Sequence, residues 1–478
     1  MVIPLDDFNE VEEIQCLECM YSDEKHKMLK LKKERTEIMK TNSTKKNIAI
    51  TFILALLLLV SAIPASALPQ AYANSEHEIS SEEQAFEKLA MERGLEFATN
   101  YMRSLDLLDH LYENFQVSRS GDIVYPDNFG GVFFDDDGFL VINQVTGDAS
   151  VLETLNFTRI DSGFISGEVT FSYNYLWSLM DVIRTTVLYD EGNPATGNVH
   201  GWMLDVVENR IFVDVDEYSA QHVNDFWNYI SSSAAIEFRE TPRRTGNYEA
   251  RGGLGDQASS YLPSPPLHPP QQAPLHARVR ITVNAGDLIW VWRPSVGGWI
   301  SAGSAGYGVV VWGSRGFTTA EHLSINSGHG GLRNNDIIAD RNGAYLGTVR
   351  IVELRRDDSA FVEMGWNIDF VHPHGVPRRL GHNTARTPVR VRAQSTSRNG
   401  GHVNGPWQGF IDGVFISGVE AYLETYPGCS GGLIYSVAGI HGMVSNSAVW
   451  HHVVFIETYR TLWVLGADLA GTFHPPQS

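Results

Sequence analysis

Three separate segments of the chain carry side chains that could together activate a serine. His322 ends a run of small residues, Asp358 stands at the head of an alternating strand-like segment, and Ser430 lies in the glycine-rich sequence Pro427–Gly432. They are spaced 36 and 72 residues apart, in the order His, Asp, Ser. A serine hydroxyl is a weak nucleophile until a base takes its proton, and a carboxylate can orient that base. Each segment alone is a weak signal, but together they predict one nucleophilic site.

Other clusters of histidine, cysteine and aspartate give weaker signals. Ten of the 17 histidines follow residue 278, so a single histidine there carries little information. Three close pairs of metal-ligating residue types lack a further ligand at a recognisable spacing: Cys16 with Cys19, His372 with His374, and His451 with His452. We therefore predict no metal site and no cofactor.

The residues from 75 to about 250 predict a mixed α/β unit. Residues 75–111 are rich in Glu, with Leu and Phe at helical spacing. Asp135–Gly138 separates two apolar runs and favours a hairpin turn over a calcium loop, because it lacks the ligand alternation of an EF-hand. The pattern further predicts helices at Tyr173–Val187 and Ala220–Ile230 and a strand at Ile211–Val215.

The texture of the sequence changes after a proline-dense stretch between Leu262 and Pro274. That stretch predicts an extended, protease-accessible linker and is the clearest domain boundary. Beyond it, short β-branched and aromatic runs alternate with Gly, Asn and Pro, and helical periodicity appears only near Leu462. This favours an all-β sandwich or barrel pair. The runs are Val279–Val283, Leu288–Trp292, Val309–Trp312, Val349–Leu354, Val414–Ile416 and Val453–Ile456.

The net charge of −20 belongs almost entirely to the middle of the chain. Residues 75–277 carry 11 Lys/Arg against 32 Asp/Glu, whereas residues 278–478 carry 16 against 14 and residues 1–74 carry 9 against 10. No segment has the excess of positive charge that would neutralise phosphates, so a nucleic-acid partner is disfavoured.

An apolar run at residues 48–63 predicts export. It follows Lys45 and Lys46 and precedes two Ala-x-Ala sequences, which is typical of a secretory signal. Its distance from residue 1 suggests that translation starts at Met39; a precursor peptide containing Cys16 would contradict this. The alternative is a cytoplasmic tail with an uncleaved anchor, and only then would the protein contact a membrane through residues 48–63.

The chain resembles the chymotrypsin-like serine peptidases, and more closely their bacterial streptogrisin and alpha-lytic branch, which is made with a large N-terminal pro-region. The resemblance rests on Thr-Ala-x-His ending at His322, Asp-x-Ala beginning at Asp358, and Gly-x-Ser-Gly-Gly around Ser430. Residues 442–445 match the strand that pairs with substrate in that family, and residues 130–143 resemble the start of its pro-peptides. It implies two six-stranded antiparallel β-barrels preceded by an α+β pro-domain.

The resemblance also assigns roles to residues. His322 is implied as general base and then acid, Asp358 as the group that orients it, and Ser430 as the nucleophile. The backbone amides of Gly428 and Ser430 are implied as the oxyanion hole. Substrate-binding roles are implied for Ser445 and for Glu424, which would favour Lys or Arg before the scissile bond. A peptide library cleaved only after apolar residues would contradict the role of Glu424.

Three residues depart from the family pattern. Glu321 replaces a small residue before His322, Leu323 stands where a disulfide cysteine often occurs, and Cys429 replaces the aspartate before Ser430. Activation by an ion pair between a new N-terminal amine and that aspartate is therefore not available. The register of the glycines assigns nucleophilicity to Ser430 rather than to Cys429.

The sequence thus predicts a secreted serine endopeptidase made as a zymogen. The expected segments are an N-terminal extension (1–45), a signal peptide or anchor (46–73), an acidic pro-region (75–250), a Pro-rich linker (251–277) and the peptidase domain (278–478). The expected partners are polypeptide substrates and the protein's own pro-region, which would assist folding and inhibit the site. The alternatives are a catalytically inactive β-barrel binding protein and a membrane-anchored envelope sensor.

Overall fold

A computed structural model gives the fold of most of the chain after residue 80. It describes residues 81–117, 123–147, 163–190, 192–243, 264–271, 280–323, 331–353, 357–372, 380–393, 400–411, 414–425, 429–448 and 452–469. The predicted signal segment, Met39, Cys16 and Cys19 lie outside these residues. Across the part of the chain that the structure describes, no helix combines the length and apolar character needed to cross a membrane.

The chain divides into two compact units. Of the described residues, 117 and 123 belong to the first unit, and those in the ranges 81–116 and 124–469 belong to the second. The second unit contains nearly all the described elements. We call its part up to residue 243 the N-terminal region, and its part from residue 280 onward the C-terminal region.

The N-terminal region is a mixed α/β structure. Its helices are α1 (Ser81–Arg93), α2 (Leu95–Asn114), α3 (Tyr173–Tyr189) and α4 (Ala220–Tyr229), with a short 3-10 helix at Thr196–Asn198. Its strands are β1 (Gln116–Val117), β2 (Ile123–Val124), β3 (Phe129–Phe134), β4 (Leu140–Val145), β5 (Phe164–Val169), β6 (Val199–Asp205), β7 (Arg210–Val215) and β8 (Ile236–Glu240). β1 and β2 run across the boundary between the two units.

Local sequence signals explain several of these elements. Strands β3 and β4 form an antiparallel hairpin, in which the Asp135 carboxylate accepts hydrogen bonds from the backbone N–H groups of Asp137 and Phe139. Gly138 has φ +86° there, a value that favours glycine. Ser172 accepts a hydrogen bond from the N–H of Tyr175 and so caps α3. The buried face of α3 consists of Leu176, Leu179, Met180 and Ile183.

The C-terminal region is almost entirely β. Its strands are β9 (Ile281–Asn284), β10 (Leu288–Arg293), β11 (Gly298–Ser304), β12 (Gly308–Val311), β13 (Ser314–Ala320), β14 (Ile337–Ala339), β15 (Tyr345–Glu353), β16 (Ser359–Met364), β17 (Ile368–Val371), β18 (Pro388–Arg392), β19 (Gly400–Ile411), β20 (Val414–Tyr422), β21 (Leu433–Ser436), β22 (Gly439–Ala448), β23 (His452–Glu457) and β24 (Ala467–Leu469). Among its described residues, the α-helix α5 (Thr458–Leu465) precedes β24.

These strands form two halves. The first half is an antiparallel sheet in the order β11-β10-β14-β15-β16-β13-β12-β24. Strands β17 and β9 form a separate, parallel pair. The second half is a barrel in the order β18-β21-β22-β23-β20-β19, closed by the pairing of β19 with β18. Separate clusters of buried apolar side chains fill the two halves.

The barrel sheet continues into the N-terminal region. Strand β19 pairs antiparallel with β6, so that β6, β7 and β8 extend the six barrel strands to nine. The indole N–H of Trp202 donates to the side-chain oxygen of Gln408 across this junction at 3.1 Å. The buried side chain of Trp407 lies there too, at the centre of a small apolar cluster with Met203.

The fold class predicted from the sequence is confirmed: an all-β C-terminal region follows an α+β region. The Asp-Gly hairpin and the predicted helices of the N-terminal region are present, with ends that differ by a few residues. In the first half, the sheet is longer than a six-stranded barrel because β11 and β24 extend its edges. The five predicted segment boundaries stay a prediction.

Candidate active site

Strand pairing in the first half brings His322 next to Asp358. Strands β13 and β16 are antiparallel, and their last partners are Ala320 and Ser359. His322 lies two residues beyond the end of β13, and Asp358 lies one residue before the start of β16. Both side chains therefore leave the sheet at the same end, and both are more than nine-tenths buried.

Hydrogen bonds join His322, Asp358 and Ser430 into a chain. The imidazole Nδ1 of His322 lies 2.7 Å from the Oδ2 of Asp358, and its Nε2 lies 2.9 Å from the Oγ of Ser430. Asp358 also accepts the backbone N–H of His322 through Oδ1, at 2.9 Å. This network favours the tautomer in which Nδ1 carries the proton and Nε2 accepts from the serine hydroxyl.

Ser430 is positioned by its glycine-rich turn before β21. Its carbonyl accepts a hydrogen bond from the N–H of Ser304 in the first half, at 2.8 Å. Gly431 has φ +86°, and its N–H donates to the carbonyl of Val444 at 2.8 Å. A Cβ at Gly431 would lie 2.3 Å from the carbonyl oxygen of Ser304, so a side chain there would push the two halves apart.

Two further side chains hold the aspartate segment, the buried Ser445 and the half-buried Arg460. The hydroxyl of Ser445 donates to Oδ2 of Asp358 from strand β22. The neighbouring Asp357 points elsewhere, because its carboxylate pairs with Arg460 on α5. Asp358 itself has φ +39°, an uncommon backbone conformation for a residue other than glycine. The two carboxylates that the sequence places side by side are therefore separated by their partners.

Glu321 adds a third carboxyl group beside this chain. Its side chain is 1% exposed, and burial raises its pKa to about 8, with a further contribution from the negative charge of Asp358. The sequence signalled it only as a departure from the family pattern.

Comparisons with known proteins find two matching family models, both before residue 243. Residues 75–163 match the family model of a Pro-like N-terminal domain, and residues 174–241 match that of a Pro-like C-terminal domain. The two family models cover less than half of the chain, and no curated protein matches it.

Solved structures of bacterial proteases are similar to part of the chain. The chymotrypsin of Cellulomonas bogoriensis is 18% identical, with 40% of this chain and 100% of that chain covered and a TM-score of 0.33. Protease A of Thermobifida fusca is 15% identical, with 40% and 100% covered and a TM-score of 0.33. The Nocardiopsis protease is 16% identical, with 40% and 99% covered and a TM-score of 0.32.

The remaining predicted site residues of the C-terminal region have different outcomes. Gly428 lies outside the described residues, so the oxyanion hole stays a prediction. Glu424 is partly buried just after β20, and its role in the primary pocket stays a prediction. The hydroxyl of Ser445 donates a hydrogen bond to Asp358, and the predicted substrate-binding role of Ser445 stays a prediction for its main chain. Cys429 is fully buried in the apolar cluster of the barrel.

The histidines that gave weak metal-site signals make other contacts where the structure describes them. His372 packs edge-on against the ring of Phe370, and Nδ1 of His452 lies 3.1 Å from the carboxylate of Glu420. His374 and His451 lie outside the described residues. No group of three His, Cys, Asp or Glu side chains suited to a metal ion occurs among the residues with a described position.

Sequence reasoning missed the contacts that come from distant segments. Arg460 reaches both Asp357 and the carbonyl of Ser417, and the N–H of Ser304 holds the carbonyl of Ser430. No local motif marks Arg460 or Ser304, because their partners are defined only by the packing of the two halves. The hydroxyl of Ser445 had a signal, since the residue was singled out on the strand after Ser430.

Proposed function

We propose that the protein is a secreted serine endopeptidase that hydrolyses peptide bonds through His322, Asp358 and Ser430. The observation that carries the proposal is the hydrogen-bond chain from Ser430 Oγ through His322 to Asp358, with distances of 2.9 and 2.7 Å. A metal or organic cofactor has no part in the proposed mechanism.

In the proposed mechanism, the Oγ of Ser430 attacks the scissile carbonyl while Nε2 of His322 takes its proton. His322 then gives that proton to the leaving amine, and water repeats the sequence to release the acyl group. Asp358 keeps the imidazole in the tautomer that can accept the proton and stabilises its charged form. The burial of His322 and Asp358 strengthens this electrostatic interaction.

The backbone amides of Gly428 and Ser430 are the proposed donors to the developing oxyanion. Losing one such donor typically costs about 3 to 4 kcal/mol of transition-state stabilisation. The turn that contains Ser430 is held from both sides, by Ser304 of the first half and by Val444 of the barrel. Such fixed main-chain donors need little reorganisation during the reaction.

The N-terminal region is the proposed pro-region, which assists folding and inhibits the site until it is removed. The support is its match to the Pro-like domains and its nine-stranded sheet shared with the barrel. Removal requires a cut in the stretch from Leu262 to Val283, where prolines favour an extended chain. The proposed export rests on the apolar run at residues 48–63 and its flanking residues.

A serine-directed fluorophosphonate tests the enzymatic proposal. The reagent forms a bond from phosphorus to the Oγ of Ser430 and releases fluoride, while His322 takes the hydroxyl proton. We expect the full-length protein to be labelled and to cleave a protein substrate. The Ser430→Ala variant should lose both properties.

The adjacent cysteine supplies the matched control. Cys429→Ala should keep most of the labelling and cleavage, because the thiol is buried in the barrel core. Loss of activity in Cys429→Ala with retention in Ser430→Ala would refute the assignment. If the fluorophosphonate does not label the wild-type protein and the protein cleaves no substrate, the result would favour the binding-protein alternative.

A further inference from the structure

Glu321 has no role in the proposed mechanism, yet its main chain is held between two segments of the site by hydrogen bonds. Its N–H donates to the carbonyl of Asp358 at 3.3 Å, and its own carbonyl accepts the N–H of Leu332 at 2.8 Å. The next residue along the chain is His322. Any change in the charge of Glu321 therefore occurs directly beside the proposed base and the carboxylate that orients it.

One oxygen of the Glu321 carboxyl group is buried without a hydrogen-bond partner in the described part of the chain. This atom is Oε1, and it has negligible exposure. It lies directly against Gly331, where an added Cβ would lie 1.5 Å from this oxygen. Only a glycine leaves room for the carboxyl group at that point. The site thus holds one oxygen of an acidic side chain where no described group donates a hydrogen bond to it.

The charged groups around Glu321 come from four segments. His322 is on its own segment, and Asp358 precedes β16. Beyond Gly331, Arg293 on β10 binds Asp336 through Nε and Nη2 at 3.0 and 2.7 Å and donates to the carbonyl of Gly331 at 2.8 Å. Because Asp336 offsets the charge of Arg293, this pair supplies little net positive charge to Glu321.

These surroundings favour the neutral form of the carboxyl group near pH 7. Removing a carboxylate from water without a cation or hydrogen-bond donors disfavours its charge. Burial and the charge of Asp358 raise the pKa of Glu321 to about 8, although His322 acts in the opposite direction. The group is therefore neutral while the site rests at neutral pH.

We propose that the buried carboxyl group of Glu321 controls the basicity of His322 through its own protonation state. Glu321 is a positioning residue in this scheme, because it acts through His322 and does not touch the substrate. When it ionises, its negative charge stabilises the imidazolium form of His322, and the imidazole becomes a stronger base. The inference rests on the proposed function of His322.

The pH profile of fluorophosphonate labelling tests this proposal. In the wild-type protein the rate constant should rise in two steps between pH 5 and 10, the first with His322 and the second near pH 8. If ionisation of Glu321 raises the pKa of the base by about one unit, the labelling rate constant should increase by about threefold in the second step, because the rate follows only part of the change in base strength. Glu321→Gln should keep the first step and lose the second.

Two variants sharpen the comparison. Glu321→Asp keeps a carboxyl group and should keep two steps. Glu363→Gln removes a carboxylate from β16 in the same half, where Glu363 pairs with Arg350 at 2.7 Å, and should label as the wild type does. A wild-type profile with a single step would overturn the proposal, as would a second step that persists in Glu321→Gln. If Glu321→Gln does not fold, a single-step wild-type profile still overturns the proposal, and the Glu321→Asp variant should shift the pH of the second step.

Titration of His322 separates this proposal from the proposed function. If no variant is labelled at any pH, the enzymatic proposal fails and the imidazole is followed by NMR in the full-length Ser430→Ala protein. The proposal then requires two inflections with Glu321 and one with glutamine at that position. Identical titration curves for the two proteins would refute the coupling between Glu321 and His322.

Discussion

At the scale of single residues, Glu321 makes the stability of the fold depend on pH. Its pKa is about 8 in the folded state, against an ordinary value of 4.5 that serves for the unfolded chain. Between these two values the folded state binds more protons than the unfolded state, so the free energy of unfolding falls as the pH rises. Below pH 4.5 the group is neutral in both states, and this loss disappears.

We therefore expect Glu321→Gln to be more stable than the wild type, by an amount that grows from pH 4.5 to about pH 8. Each unit of pKa difference corresponds to about 1.4 kcal/mol, so the gain at pH 8 should be on the order of 3 kcal/mol after relaxation of the site. Thermal unfolding of both proteins in the Ser430→Ala background measures it. A stability difference that stays constant across this range would contradict the prediction.

Glu363→Gln is the matched control for that series. Arg350 and Ser314 lower the pKa of Glu363, so its carboxylate stabilises the folded state above the ordinary value of 4.5 and loses this contribution on acidification. Its replacement should lower stability at neutral pH and have little effect in acid. The two glutamine variants should thus change stability in opposite directions at pH 8.

At the scale of elements, the junction between β6 and β19 depends on glycines that let two strands approach closely. A Cβ at Gly405 of β19 would lie 2.2 Å from the carbonyl oxygen of Leu204 on β6. Gly400 lies on the same strand, but a Cβ there would meet no atom within 4 Å. The two positions therefore test the strand pairing independently of the general effect of replacing glycine.

We expect Gly405→Ala to weaken the association of the N-terminal region with the barrel. A backbone atom cannot move aside as a flexible side chain can, so the strands must separate. The full-length Ser430→Ala protein with Gly405→Ala should unfold several degrees lower, since about 1 kcal/mol shifts the Tm by roughly 2 to 4 °C in a domain of this size. With Gly400→Ala the Tm should change little. Equal shifts for both would exclude the clash as the cause.

Local elements could be predicted from the sequence, whereas the junctions between them could not. The hairpin at Asp135–Gly138 and the apolar face of α3 are encoded within a few residues. That residues 322, 358 and 430 lie close together could be predicted only from the motifs that contain them. The pairing of β6 with β19 and that of Arg460 with Asp357 join residues about 100 to 200 positions apart. Such contacts follow from tertiary packing and leave no periodicity in the sequence.

At the scale of the whole molecule, the contacts between the two regions follow the division of charge in the sequence. Asp109 of α2 binds His382 at 2.7 Å, and Asp136 lies 3.6 Å from Arg386. Glu92 of α1 likewise pairs with Arg390. In each of these three pairs the acid belongs to the N-terminal region and the base to the C-terminal region, whereas Arg239 and Glu420 pair in the opposite sense at 3.8 Å. Partly exposed pairs of this kind add little stability, but they favour encounter and orientation.

The same interface predicts that the C-terminal region depends on the N-terminal region for rapid folding. Its sheets pair strands that are far apart in sequence, which makes folding slow because loop closure precedes the stabilising contacts. The pairing of β6 with β19 offers the barrel an already formed edge. We expect denatured full-length Ser430→Ala protein to refold at least about tenfold faster than residues 278–478 alone.

Adding residues 75–250 as a separate chain tests whether the N-terminal region acts as a folding template or speeds folding only because it is covalently linked. The isolated C-terminal chain should then recover its folding rate if it carries Gly400→Ala, but not if it carries Gly405→Ala, because only the second blocks the strand pairing. Higher salt should slow the recovery, since it screens the pairs between the acidic and basic surfaces. If residues 278–478 refold alone as fast as the full chain, the N-terminal region has no role as a folding template.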